Sequence, residues 1–360
     1  ISIAPTVPNT RPFRAPSDTD RMITAIERIK SVTGSKSGFD PVCDIWGVLF
    51  VNMGGPETTD QIKPYLRSIF SDRAIIKLPL SFLLQKPFAR LISTLRTPRV
   101  AARYRLIGGG SPLLRYDRKL AEGIRESLKG EFPNLRTYVG MRYIEPFIDA
   151  QLRQAINDGC KHLIVIPMYP HYCLATTGTA LGVIADFLGA HPGAISVNVV
   201  EHWHDCGGYI ALLRTRIEQA LAQADPAAKT QLLFSAHSIP ESINRSGDPY
   251  VDQIAHTCQL AGRDHDYLLS FQSATGPVKW VGPDTLATID KLAGDGVRQL
   301  VIVPISFVSD NIETLYDIDI VMQERCRRLG MQPLIRTAMF NGEPDFVKFM
   351  AGLVREKAKS

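Results

Sequence analysis

The sequence predicts an α/β protein of two similar domains, each a parallel sheet flanked by helices. From Cys43 onward, apolar runs of strand length alternate with segments of helical periodicity. The runs are continuously apolar, which marks strands buried on both faces. The chain also repeats itself. "EPFIDAQLRQAINDGCKHLIVIPM" (145–168) aligns without gaps on "GPDTLATIDKLAGDGVRQLVIVPI" (282–305). "VLFVNMGGPE" (48–57) aligns on "LLFSAHSIPE" (232–241) at a longer offset. Both comparisons together describe a duplicated α/β domain whose first copy holds an insertion of about 47 residues. Met53 and His237 occupy the same place in the two copies.

Residues 1–42 are rich in Pro, Ser, Thr and Arg, with no acid before Asp18, and are expected to be a flexible or processed tail. Within it "RMITAIERIKS" (21–31) reads as a short amphipathic helix. The strands are predicted in "WGVLFVNMGG", "LRTYVGMRY", "KHLIVIPMYP", "ISVNVVEHW", "TQLLFSAHS", "DYLLSFQS" and "RQLVIVPISF". An Asp-Gly pair closes the helix before the third and the seventh of these, as a helix C-terminus requires. The expected domains are 43–206 with an insertion at about 72–117, then 207–342. A final helix over 343–360 is expected to pack back on the first domain.

A chain of 360 residues is long for one core and suits two domains. No apolar stretch reaches the roughly 20 residues that span a bilayer. A net charge of +5 is too modest to indicate nucleic acid, and none is expected as a partner. Six scattered cysteines without a CxxC pair argue against a disulfide framework or thiolate zinc site and fit a reducing compartment. The insertion is distinctive: between Asp72 and Asp117 there are nine basic residues and no acid. Apolar residues run among them, as in "LPLSFLLQKPFARLISTL". This composition suits an anionic membrane surface or an apolar ligand carrying carboxylates, and equally a helix pair packed on its own domain.

In open α/β sheets ligands bind beyond the carboxyl ends of the strands. The tips here carry Asn52-Met53-Gly54-Gly55, Arg142-Tyr143, Tyr169-Pro170-His171-Tyr172, His237 and Ser309-Asp310-Asn311-Ile312-Glu313. If the domains face each other, these groups converge on one cleft. "GGGSP" (108–112) follows a basic helical stretch and not a strand, which argues against a phosphate loop. Ser235 or Ser238, His237 and Asp310 could form a hydrolase triad on paper, but no G-x-S-x-G elbow exposes a serine. Glu313 and Asp317, four residues apart, share a helix face where they suit a divalent cation or simply a solvated first turn.

The motifs "NMGGPE", "LIGGGSPL", "YVGMRYIEP", "YPHYCLATTG", "FSAHSIPES", "RSGDPY", "GPVKWVGP" and "SDNIETLYDIDI" stand in one order from about Gly47 to Val354. In this the chain resembles the ferrochelatases, which insert ferrous iron into a porphyrin. The resemblance implies two Rossmann-like domains around a porphyrin cleft, a chelatase-like fold. It implies catalysis by His237 and Glu313, with the metal held by His237, Glu313 and Asp317. It implies porphyrin contacts from Met53, Leu78, Leu83, Ser111, Arg142, Tyr143, Tyr169, Trp280 and Phe307. Fe2+ and porphyrin are then the substrates, no cofactor is tightly bound, and the insertion touches a membrane.

The chain departs from the family where Asn311 replaces a frequent His, and where the acid series Glu313, Asp317 ends at Val321. It also ends at Ser360 without the cysteine-bearing extension of some members, so no iron–sulfur cluster is expected. The main expectation is an enzyme making protohaem from protoporphyrin IX, cytoplasmic and peripherally membrane-associated, or imported into an organelle if the tail is a transit remnant. A coproporphyrin ferrochelatase, a cobalt chelatase of a related tetrapyrrole and a non-catalytic porphyrin carrier remain open. The sequence assigns no oligomeric state.

Overall fold

A computed structural model describes residues 19–33, 41–73, 81–276 and 278–359. The chain opens with helix α1 (Thr19–Val32), strand β1 (Trp46–Asn52) and helices α2 (Ile62–Ser71), α3 (Ser81–Leu106) and α4 (Leu113–Leu128). β2 (Arg136–Met141), α5 (Ile148–Asn157), β3 (His162–Pro167), α6 (Thr179–Ala190) and β4 (Ser196–Val199) follow. The second half runs through α7 (Gly207–Leu221), β5 (Thr230–His237), α8 (Glu241–Arg245), α9 (Tyr250–Ala261), β6 (Tyr267–Gln272) and α10 (Thr285–Gly294). It closes with β7 (Gln299–Val303), a π-helix (Glu313–Met322), α11 (Gln323–Arg328), β8 (Ile335–Arg336) and α12 (Pro344–Lys359).

All seven predicted strands form, and every pairing among them is parallel. With the short, unpredicted β8 paired parallel to β7, they make two four-stranded sheets among the described residues, in the orders β2-β1-β3-β4 and β6-β5-β7-β8. The same order in each half is what a duplication produces. The repeat is visible helix by helix: α5 at Ile148–Asn157 and α10 at Thr285–Gly294 fall on the aligned residues. Both end on an Asp-Gly turn whose glycine, Gly159 or Gly296, takes a positive φ. Cys160 N–H then reaches back to Ala155 O, and Val297 N–H to Leu292 O, satisfying the last helical carbonyls.

The chain divides into two compact units. The N-terminal unit comprises Met22–His202, Val308–Tyr316 and Phe340–Ser360. Its sheet buries Leu49, Val51, Leu163 and Val165 against α5, α6 and the Ala25, Ile26 and Ile29 face of α1. Burial of each such aliphatic side chain contributes roughly 2 kcal/mol. α12 packs on α4, β3 and β4. It is tied there by Lys119–Glu343 at 2.8 Å and Arg355–Glu131 at 2.7 Å.

The other unit is built on Trp203–Phe307 and Asp317–Met339. Leu233, Leu300 and Ile302 pack there on Ile289, Leu292, Ile318 and Met322. The division falls inside the π-helix, between Tyr316 and Asp317.

The basic insertion forms α3, which packs on α2 just before it. α3 turns Ala89, Ala101 and Tyr104 onto Ile62, Leu66 and Phe70 of α2. Its outer side leaves Leu84, Leu91 and Leu95 exposed at 49%, 62% and 66%. No helix among the described residues is long and apolar enough to cross a membrane.

Candidate active site

The N-terminal unit gathers its polar groups where β1, β2 and β3 end. Register pairs Asn52, the last residue of β1, with Met141 of β2. Beyond the sheet the zipper continues, because Arg142 N–H donates to Asn52 O at 2.8 Å and Tyr143 N–H to Met53 O at 3.1 Å. The Arg142 guanidinium donates to Asp72 Oδ2 at 2.7 Å and lies 4.8 Å from the centre of the Tyr143 ring. The Tyr143 hydroxyl donates to the same carboxylate oxygen at 2.9 Å. Asp72, which follows α2, therefore fixes both side chains of the pair.

Ser111 meets the β1 tip through glycines. A Cβ on Gly55 would lie 2.6 Å from Ser111 Oγ, and one on Gly110 would lie 1.9 Å from Glu57 O. Ser111 N–H donates to Pro56 O at 2.7 Å. Close approach thus accounts for Gly55 and Gly110, and positive φ for Gly108 and Gly109, reasons independent of phosphate.

Phenols surround this tip. Tyr65 donates to Gly54 O at 2.9 Å. Burial pushes its pKa up, and the Glu313 carboxylate and Tyr143 push it further. Tyr104 is raised by burial, then by Tyr65 and Glu313. Tyr169 is raised well above the usual phenol value, first by burial, with Tyr65 and Tyr143 adding to it and a hydrogen bond to the Met53 backbone opposing. Three phenols, neutral at neutral pH, therefore sit here, Tyr65 and Tyr104 within reach of the Glu313 charge and Tyr169 on the Met53 backbone.

Glu313 belongs to this unit and begins the π-helix. A reciprocal cap precedes it: Asn311 N–H donates to Thr314 Oγ1 and Thr314 N–H to Asn311 Oδ1, each at 3.0 Å. Asn311 thus works as a helix cap. Asp310 accepts from the side chains of Thr314 and Asn341.

In the other unit β5 ends on His237. Its backbone N–H donates to Ser306 Oγ at 2.9 Å and its carbonyl accepts from Tyr250 at 2.9 Å. Tyr250 and Ser306 are themselves 2.6 Å apart. The ring nitrogen Nδ1 lies 2.7 Å from Ser238 O. A carbonyl only accepts, so Nδ1 carries a proton, and the neutral ring has its lone pair on Nε2. Phe307 stands edge-on to the imidazole at 6.3 Å. Trp280 is brought to the same loop by a bridge to Pro240, and its indole N–H donates to Thr275 O at 3.0 Å. Asp317 accepts from Ser273 at 3.1 Å.

Ser235 and Ser238 are not available as nucleophiles. Ser235 is fully buried and donates to Gln272 at 2.6 Å, while Ser238 donates to Val281 O at 2.7 Å. The hydrolase alternative fails on that geometry.

The family model described as Ferrochelatase matches residues 46–358. The chain belongs to the ferrochelatase family. A ferrochelatase from Geotalea uraniireducens (strain Rf4) is 40% identical over 317 residues, covering 87% of this chain and 98% of the relative. One from Synechococcus sp. (strain JA-3-3Ab) is 38% identical, covering 86% of this chain and 92% of that one. Among solved structures, SirB from Bacillus subtilis with Fe3+ shares the fold at a TM-score of 0.52 and 12% identity, over 87% of this chain and 95% of SirB. The chain is accordingly an enzyme of the metallochelatase class.

For this ferrochelatase-family chain, the structure groups Met53, Ser111, Arg142, Tyr143, Tyr169 and Glu313 in one unit. His237, Trp280, Phe307 and Asp317 lie in the other. Leu78 falls outside the described residues, and Leu83 lies in α3 with its side chain undescribed. Sequence reasoning missed Tyr65, Tyr104 and Asp117. The first two sit at helical spacing among apolar residues, where an aromatic reads as ordinary core.

Proposed function

We propose that the chain inserts Fe2+ into protoporphyrin IX, releasing two protons and yielding protohaem. The observation that carries this reading is the His237 ring at the tip of β5. Its Nδ1 faces Ser238 O, so in the neutral ring the lone pair left for a proton is on Nε2. A porphyrin binds metal only after its two N–H protons leave, and an imidazole is basic enough to take them near neutral pH. Glu313 shares the proton and metal work, with Asp317 beside it on the π-helix. Met53, Ser111, Arg142, Tyr143, Tyr169, Trp280 and Phe307 are assigned to porphyrin contact, with Leu78 and Leu83 added by the family resemblance. A close-fitting apolar site would ruffle the macrocycle so that its nitrogen lone pairs point out of plane.

The exposed leucines of α3, set among Lys86, Arg90, Arg96 and Arg99, support a peripheral hold on an anionic membrane surface. No tightly bound cofactor is assigned.

Steady-state insertion of Fe2+ into protoporphyrin IX and coproporphyrin, measured side by side, tests the reading. Faster turnover of protoporphyrin supports it. Preference for coproporphyrin, or for Co2+ and a more carboxylated tetrapyrrole, replaces the substrate. Porphyrin binding without any insertion would make the chain a carrier.

A further inference from the structure

Asn52 holds the Met53 tip through every polar group it presents there. Its Oδ1 accepts Met53 N–H at 2.8 Å, its carbonyl accepts Arg142 N–H at 2.8 Å, and its Nδ2 donates to Asp117 Oδ2 at 2.9 Å. An amide can present oxygen or nitrogen on either side, and a 180° flip exchanges them. Here the flip is forbidden, because it would set the Asn52 Nδ2 donors against Met53 N–H and the amide oxygen against a carboxyl oxygen.

Asp117 is an odd residue for its place. It lies in the second turn of α4 and is fully buried, between Leu114 and Leu120 of the same buried helix face. Its Oδ1 has no hydrogen-bond partner among the described residues. Burial pushes its pKa up to about 7, against the Asn52 bond that lowers it. A buried carboxyl with one oxygen unsatisfied weakens a fold relative to an apolar side chain. Its remaining oxygen has one described task, the Asn52 amide.

We propose that Asp117 is a positioning residue for the porphyrin-contacting tip, acting through the Asn52 amide to fix Met53 and, beyond it, the Arg142–Tyr143 backbone. This rests on the proposed function for the role of the tip. The bond needs an oxygen acceptor and not a charge, since a carboxylic acid and a carboxamide each offer one. The inference therefore separates Asp117→Asn, which keeps an acceptor, from Asp117→Ala, which does not.

The test is steady-state Fe2+ insertion into protoporphyrin IX by the full chain, with thermal midpoints and the porphyrin absorption band on binding. Asp117→Asn is expected to keep kcat and KM within about twofold of the wild type. Asp117→Ala is expected to lower kcat/KM about tenfold and to alter the band of bound porphyrin, while its thermal transition stays cooperative and above the assay temperature. Unchanged kinetics in Asp117→Ala, or equal losses in both variants, would overturn the inference. Should Asp117→Ala not fold, Asp117→Leu, closer in volume, takes its place; a folded but inactive Asp117→Asn overturns the inference on its own. A wild-type chain that inserts no metal overturns the proposed function and this inference with it. An active wild type with an unaltered Asp117→Ala variant overturns this inference alone.

Discussion

His237 and Ser238 are joined by a hydrogen bond between the imidazole and the carbonyl of the next residue, Nδ1 to O at 2.7 Å. The bond selects one tautomer, and Tyr250 with Ser306 anchors the backbone that carries it. In the neutral ring this leaves Nε2 as the accepting nitrogen, the arrangement the proposed function needs.

Replacing His237 with Ala should cut metal insertion by at least about 100-fold, the scale of a lost general base. Porphyrin affinity, read by quenching of tryptophan fluorescence, should change little. Turnover near the wild-type level in that variant would remove His237 from the chemistry.

Asn311→Ala removes the side-chain oxygen that accepts Thr314 N–H and should cost about 1 kcal/mol in urea unfolding. Because Glu313 begins two residues later, kcat should fall with it. Asn311→Ser, which can still cap, should recover both. A proton-carrying role would show instead as a serine variant that is stable and slow.

Asp117 gives stability a pH dependence of predictable sign. Its folded pKa of about 7 lies above the ordinary value of 3.8, so the folded chain holds this proton more tightly. Its contribution is therefore full below about pH 4, falls as the pH rises toward 7, and is level above that. Between pH 5 and pH 8 the wild type should lose on the order of 3 kcal/mol that Asp117→Asn does not. Parallel urea curves for the two proteins across that range would count against the buried carboxyl.

The outer face of α3 should bind vesicles containing anionic lipid, more weakly as salt rises, and leave neutral vesicles alone. Leu91→Glu with Leu95→Glu should reduce co-sedimentation about tenfold while leaving the thermal midpoint in place, since both side chains are exposed. Undiminished binding would move any membrane contact elsewhere.

The sheets were legible because runs such as Leu232-Leu233-Phe234 and Leu163-Ile164-Val165-Ile166 are apolar without interruption, and the structure buries them completely on both faces. β8 was not, since a strand of Ile335 and Arg336 alone carries no periodicity. The helix after Asn311 was legible as a helix, but its π geometry depends on hydrogen-bond spacing that residue pattern does not encode. Asp117 stayed hidden for a different reason. In "LLRYDRKL" it looks like one more solvated charge, and only the packing of α4 shows that this charge faces inward.

A Cβ at Gly110 would fall 1.9 Å from Glu57 O, with no flexible side chain to give way. The loops at 53–57 and 108–112 can therefore drift in evolution only as a pair. A change of length or bulk in one has to be answered in the other, though a whole helical insertion separates them in the chain. Their histories should be written together, and a library that varies both loops at once should yield working combinations that neither loop tolerates alone.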